Sequence, residues 1–139
     1  MNSLNKTFLP SEKYENRNWF IIDCKRKKLG RLATYVVKLL KGKRKPYYYP
    51  SIDVGDYVIL INADSILFKE NIQQFYINNP GRPGRSLKKI SNSFPRLILE
   101  RAVKGMLSES ETRKFIKRLN IYNDQEHPHQ AQNPIKIDI

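Results

Sequence analysis

The chain reads as an α/β protein: a single compact domain with a mostly parallel sheet flanked by helices, carrying an extended N-terminal arm and a C-terminal tail. Three observations predict this. Trp19–Ile22 and Tyr57–Ile61 are short, strongly apolar runs of strand length. Between them, apolar residues recur with the period of an amphipathic helix from Leu29 to Leu40. Strand, helix and strand at these lengths form a βαβ unit, and such a crossover lays its two strands parallel. With 139 residues, 40% of them hydrophobic, the chain suits one domain with one core. The reading divides it into an arm at 1–18, the α/β domain at 19–122 and a surface tail at 123–139.

Residues 1–18 are polar, contain Pro10 and have no regular period. The first strand ends at Asp23. Cys24, the one cysteine, follows it as a small strand-end residue; a lone thiol makes no internal disulfide and suits a reducing compartment. Lys25–Lys28 is a charged connection. In the helix, Leu29, Leu32, Ala33, Val36, Val37 and Leu40 fall on one face, and Gly42 fits the position just past its end, where positive φ is needed. Pro46 and Pro50 keep the next stretch out of helix, and Asp53-Val54-Gly55-Asp56 reads as a turn. Tyr57–Ile61 lacks alternation, as expected of a strand covered on both faces.

Further along, Ile66–Phe68 and Gln74–Ile77 read as two more short strands, and 78–89 as a loop rich in Gly, Pro, Arg and Lys. Pro95 suits the first turn of a helix whose apolar face is Ile98, Ala102, Val103, Met106 and Leu107. A short helix is expected through Phe115, Ile116 and Leu119.

Charge carries the functional signal. The chain has 26 Lys and Arg against 13 Asp and Glu, a net charge of +13. Such a field recruits phosphates. The cations gather in three clusters, Lys41–Lys45, Arg82–Lys89 and Arg113–Arg118. Like charges repel, so such clusters point to a polyanion, and RNA is the first candidate. Tyr47-Tyr48-Tyr49 follows the first cluster, and Tyr48 is a candidate for stacking on an unpaired base. Gly81-Arg82-Pro83-Gly84 resembles a phosphate-clamping turn but has neither a third glycine nor a Walker lysine.

Other chemistries fit poorly. His127-Pro128-His129 has no partner ligands for zinc and no adjacent nucleophile. Asp53, Asp56, Asp64 and Glu70 occupy ordinary turn and capping positions rather than a metal-nuclease cluster. An RNA-processing or RNA-modifying enzyme is therefore the alternative reading, without a convergent acid/base set. No stretch approaches the about 18 apolar residues of a membrane span, and Met1–Pro10 lacks a signal core. The apolar face of the first helix is better used by a core than by a lipid surface.

Several motifs in order resemble the ribosomal protein L13 (uL13) family of the large subunit, in its bacterial and organellar form. Trp19–Asp23 with Leu29-Gly30-Arg31-Leu32-Ala33 is similar to the family's opening. Lys41-Gly42-Lys43, Pro46, Pro50 and Asp53–Ala63 are similar to its centre. Ala102–Leu107, Leu119-Asn120-Ile121-Tyr122 and Glu126–Gln132 are similar to its close. The chain departs from the pattern at Asn79, at Gly84-Arg85 and at Ser108–Arg113, where the loop is shorter and more acidic.

The resemblance implies a structural, non-catalytic constituent of the large ribosomal subunit. Such a protein binds large-subunit rRNA, supports subunit assembly and touches neighbouring ribosomal proteins. It implies no cofactor, no metal, no membrane and no small-molecule substrate. On this reading the rRNA contacts are Arg31, Lys41, Lys43, Arg44 and Lys45, with Tyr48 stacking. Arg82, Arg85 and Lys88 follow from the central loop, and Lys104, Arg113, Lys114, Lys117 and Arg118 from the later helices. His127 and His129 complete the set. Asn5–Phe8 and Asp23-Cys24 look most like plastid members, and an Ile-, Lys- and Asn-rich composition agrees with an AT-rich genome. The implied location is the plastid (chloroplast) stroma, with the bacterial cytoplasm as the alternative.

Overall fold

A computed structural model describes residues 17–67 and 95–139. Strand β1 (Trp19–Asp23) leads into helix α1 (Leu29–Leu40), which returns the chain to strand β2 (Tyr57–Ile61) and a 3-10 turn at Ala63–Ser65. Helices α2 (Pro95–Gly105) and α3 (Glu109–Phe115) follow, then a 3-10 turn (Ile116–Arg118), strand β3 (Leu119–Ile121) and strand β4 (Ile135–Ile137). The sheet order is β3-β2-β1-β4, and every pairing is parallel. The register sets Trp19 against Tyr57 and Asp23 against Ile61, as a βαβ unit requires.

The apolar pattern decides the packing. Leu32, Ala33, Val36, Leu39 and Leu40 bury the inner face of α1. They meet Ile22, Val58 and Leu60 from the sheet, together with Leu99 and Val103 from α2 and Phe115 from α3. β2 is the best-covered strand, with Val58 to Ile61 all buried, which explains its lack of alternation. Cys24 closes β1 fully buried and donates its backbone N–H to Ile61 O at 3.0 Å.

Two expectations are corrected. Leu119 does not continue the short helix. α3 tightens into a 3-10 turn, and Leu119 and Ile121 then alternate inward beside β2 in a period of two. The segment after Tyr122 is more than a surface tail: Ile135 pairs with Phe20 and Ile137 with Ile22, adding an exposed edge strand. Of the strand expected at Ile66–Phe68, Leu67 makes one parallel bridge to Lys28. Phe68 and Gln74–Ile77 lie outside the described residues, as do the arm up to residue 16 and the basic loop at 78–89.

The end of α1 prepares the site. Lys43 N–H reaches Lys38 O at 2.9 Å and Gly42 N–H reaches Leu39 O at 3.0 Å, the paired bonds of a Schellman stop. Gly42 takes φ +73, and a Cβ there would lie 2.8 Å from Val54 O. A side chain is thus excluded both by conformation and by the approach of the chain before β2. The stop turns Lys43 and Arg44 out to solvent.

Candidate nucleic-acid interface

The first and third basic clusters, 68 or more residues apart in sequence, meet in space. Lys41 Nζ contacts Glu111 Oε2 at 2.9 Å, so the loop after α1 touches the first turn of α3. That turn is fixed by a capping box: Glu111 N–H donates to Ser108 Oγ at 3.4 Å, and Ser108 N–H donates to Glu111 Oε2 at 3.0 Å. The Lys41 ammonium and the Ser108 N–H together hold the Glu111 carboxyl below the usual carboxylate range. Arg113, Lys114 and Lys117 project from α3 and the turn after it, all exposed.

Arg118 points the other way. The reading from sequence placed it among the exposed cations, but its side chain is only 4% exposed. Its guanidinium donates to Gly55 O at 3.0 Å, Leu40 O at 3.3 Å and Asp53 Oδ1 at 2.9 Å. It also lies over the Phe115 ring at 4.8 Å. Leu40 O is a carbonyl that the Schellman bonds leave open at the negative end of α1, so a buried cation suits it. Burial draws the Arg118 pKa down, and the Asp53 carboxylate opposes that pull. With both terminal nitrogens of its guanidinium donating inside the fold, Arg118 is a strut rather than an outward phosphate contact.

Lys45 is the second inward cation. Its Nζ donates to Val54 O at 2.8 Å and Asp56 Oδ1 at 2.5 Å. Asp56, itself 3% exposed, also accepts Asn18 N–H at 2.9 Å. Asp53 accepts Arg17 at 3.5 Å. The two aspartates thus anchor the residues leading into β1. The sequence reading saw them as turn residues only. A signal was present: two acids bracketing a glycine directly before the most apolar strand have little water to face.

The remaining candidates divide cleanly. Arg31, Lys43 and Arg44 are exposed along and after α1, with Arg44 over the Tyr35 ring at 5.4 Å and donating to its hydroxyl. Lys104 is exposed and paired with Glu100 one helical turn back at 2.5 Å. Tyr48 is half-buried beside α3. His129 belongs to an aromatic group: its Nε2 is 2.8 Å from Tyr122 Oη, its ring lies 5.2 Å from Trp19, and Trp19 stacks on Tyr57 at 4.3 Å. His127 Nδ1 accepts the His129 N–H at 3.3 Å. These rings dock the 122–130 loop on the start of the sheet. Arg82, Arg85 and Lys88 lie outside the described residues. Among the described residues no group of three His, Cys, Asp or Glu side chains is placed to hold a metal ion, and no helix is long and apolar enough to cross a membrane.

The family described as Ribosomal protein L13 matches residues 17–128, from the clasped Arg17 to the histidine loop. The chain belongs to the ribosomal protein L13 family. It is 50% identical over 136 residues to the large ribosomal subunit protein uL13c of Trieres chinensis, covering 97% of this chain and 98% of that one. It is 41% identical to the large ribosomal subunit protein uL13 of Synechococcus elongatus, covering 98% and 95%. For the uL13 of Prochlorococcus marinus strain MIT 9312 the identity is 42%, covering 97% and 99%. As a family member the chain is a structural ribosomal protein rather than an enzyme.

Proposed function

We propose that the protein is a constituent of the large subunit of a plastid-type ribosome, where it binds large-subunit rRNA and supports subunit assembly. The observation that carries the reading is the convergence of two basic clusters through Lys41 and Glu111. Around that contact Lys43, Arg44, Arg113, Lys114 and Lys117 stay exposed, while Arg118 and Lys45 lock the loops beneath them. A rigid core thus presents cations in fixed positions, which suits bridging of separate rRNA segments. Arg31 and Lys104 extend the contact surface along the helices, and Arg82, Arg85 and Lys88, which lie outside the described residues, are counted as contacts on their charge alone. Likeness to uL13c supports the plastid location.

Sucrose-gradient sedimentation of native lysate tests this, with a high-salt wash of the particles. Co-migration with large subunits through moderate salt is expected, and residence only in light fractions would overturn it. If about six phosphates are engaged, log affinity for large-subunit rRNA falls with log salt at a slope near −4 to −5. Recovery of the chain in ribosomes from isolated plastids tests the location.

A further inference from the structure

A cleft of about 200 Å³ opens between the segment after α1 and the start of α3. Tyr48, Pro50, Ile52 and Phe115 supply its apolar wall. Asp53, Glu111 and Lys41 line it with partly buried side chains, and the exposed Lys114 lies at its edge. Its volume is on the order of that of one heterocyclic base.

The charge layout orients a guest. Asp53 and Glu111 keep 30% and 33% of their side chains exposed, so each can offer a carboxylate oxygen to a guest in the cleft. Lys114 is exposed at the rim, with Lys43 and Arg113 nearby in sequence on the same two elements. A nucleotide therefore presents its base inward and leaves its phosphate outside. Among the described residues Asp53 Oδ2 carries one long contact, to Arg17 at 3.5 Å, and has acceptor capacity left. Lys41 already holds Glu111 ionised. An acceptor-rich wall favours a base bearing an exocyclic amine, as carboxylates do when they accept from the cytosine amine.

We propose that this cleft receives one unpaired RNA nucleotide, its base beside Tyr48 and its phosphate on Lys114, with amine-bearing bases preferred over uracil. The inference rests on the proposed rRNA binding and adds to it a base-reading position. A base within a duplex has its faces covered by its neighbours, so a base that stacks on Tyr48 must come from an unpaired position. Aromatic stacking with a basic rim is the chemistry that single strands use.

The test is fluorescence anisotropy with the full chain and three 12-nucleotide RNAs of equal charge: oligocytidine, oligouridine and an abasic backbone. Large-subunit rRNA, titrated across several salt concentrations, serves as the control for the underlying reading. Oligocytidine is expected to bind at least fivefold more tightly than the abasic strand, and more tightly than oligouridine. Tyr48→Ala should remove the first difference and Tyr48→Phe should retain it. Glu111→Gln, which still satisfies the capping box, should narrow the second. Equal binding of all three strands alongside normal rRNA binding overturns the cleft and leaves the rRNA reading standing. Failure to bind rRNA as well overturns both.

Discussion

Arg118 and Asp53, 65 residues apart, form a hydrogen-bonded ion pair of 2.9 Å that ties the 3-10 turn before β3 to the turn before β2. The same guanidinium closes the end of α1 through Leu40 O. One side chain thus joins three segments on which the basic surface is built. Charge number alone did not distinguish this arginine from its neighbours Arg113 and Lys117; the difference is that it faces backbone carbonyls instead of water.

Replacing Arg118 by Leu should destabilise the fold more than any change at the exposed cations. It strands the Gly55 and Leu40 carbonyls and leaves Asp53 without its main partner. Each buried carbonyl left without its partner costs about 1–3 kcal/mol, while Asp53, 30% exposed, keeps its contact with Arg17. Arg118→Lys should fall between, because a single ammonium cannot reproduce a planar fork. Urea unfolding of the two variants checks the order.

The glycines give a sharp contrast. A Cβ at Gly55 would stand 1.7 Å from Leu40 O, a backbone atom that cannot yield without moving the end of α1. Gly55→Ala should therefore cost about 3 kcal/mol, the upper end for overpacking. Gly30, in the first turn of α1, has nothing among the described residues within 4 Å of its Cβ position. Gly30→Ala should leave stability unchanged or raise it by about 0.5–1 kcal/mol. Thermal melts of both variants separate the cases.

Acid should weaken the molecule in a definite way. Glu111 has its pKa lowered, first by the Lys41 hydrogen bond and then by the Ser108 N–H. At Asp23, burial acts to raise the pKa, but the bonds from Asn62 and the Lys25 N–H outweigh it and the net shift is downward. Groups depressed in the folded state bind fewer protons there than in the unfolded chain. Their stabilisation is complete above the unfolded carboxylate pKa and is lost as pH falls through the folded value. Stability measured by urea should fall on acidification through that window, and Glu111→Gln should flatten the fall.

Phosphate contact and internal bracing separate by salt. Alanine at Lys43, Lys114 or Lys117 should weaken rRNA binding and reduce the log–log salt slope by about 1 for each phosphate lost. None should shift the melting temperature appreciably, because all three are exposed. An unchanged slope for all three would remove this patch from the contact surface.

The Cys24 thiol should be inert while the fold lasts. It is fully buried, and that burial, with the Asp23 charge beside it, pushes its pKa up to about 12. Alkylation by iodoacetamide near pH 8 should be slow in buffer and fast in urea, since the thiolate is the reactive form.

The βαβ frame was legible because its signals are local and periodic: α1 from Leu29 to Leu40, the run Tyr57–Ile61 and the turn chemistry of Gly42 were all read where they lie. β4 was not, because three residues with exposed Ile135 form a strand only by pairing with a partner far back in the chain. β3 was missed for a related reason: Leu119 continues the apolar spacing of the preceding helix until the sheet imposes a period of two. The positions of Lys43, Lys114 and Lys117 on the surface matched their composition-based reading. Those of Lys45 and Arg118 did not, since the acids and carbonyls that claim them lie 9 to 78 residues away.

Because β1 lies between β2 and β4, its outer rim receives its neighbour, among the described residues, from 135–137. A chain emerging from its own synthesis can assemble β1, α1 and β2 early, yet that rim stays bare until residues 135–137 have been made. Unpaired strand rims invite pairing with other chains. Nascent copies should accordingly be most prone to clumping before residues 135–137 emerge, and a chain cut short before Ile135 should be less soluble than its otherwise assembled core would suggest.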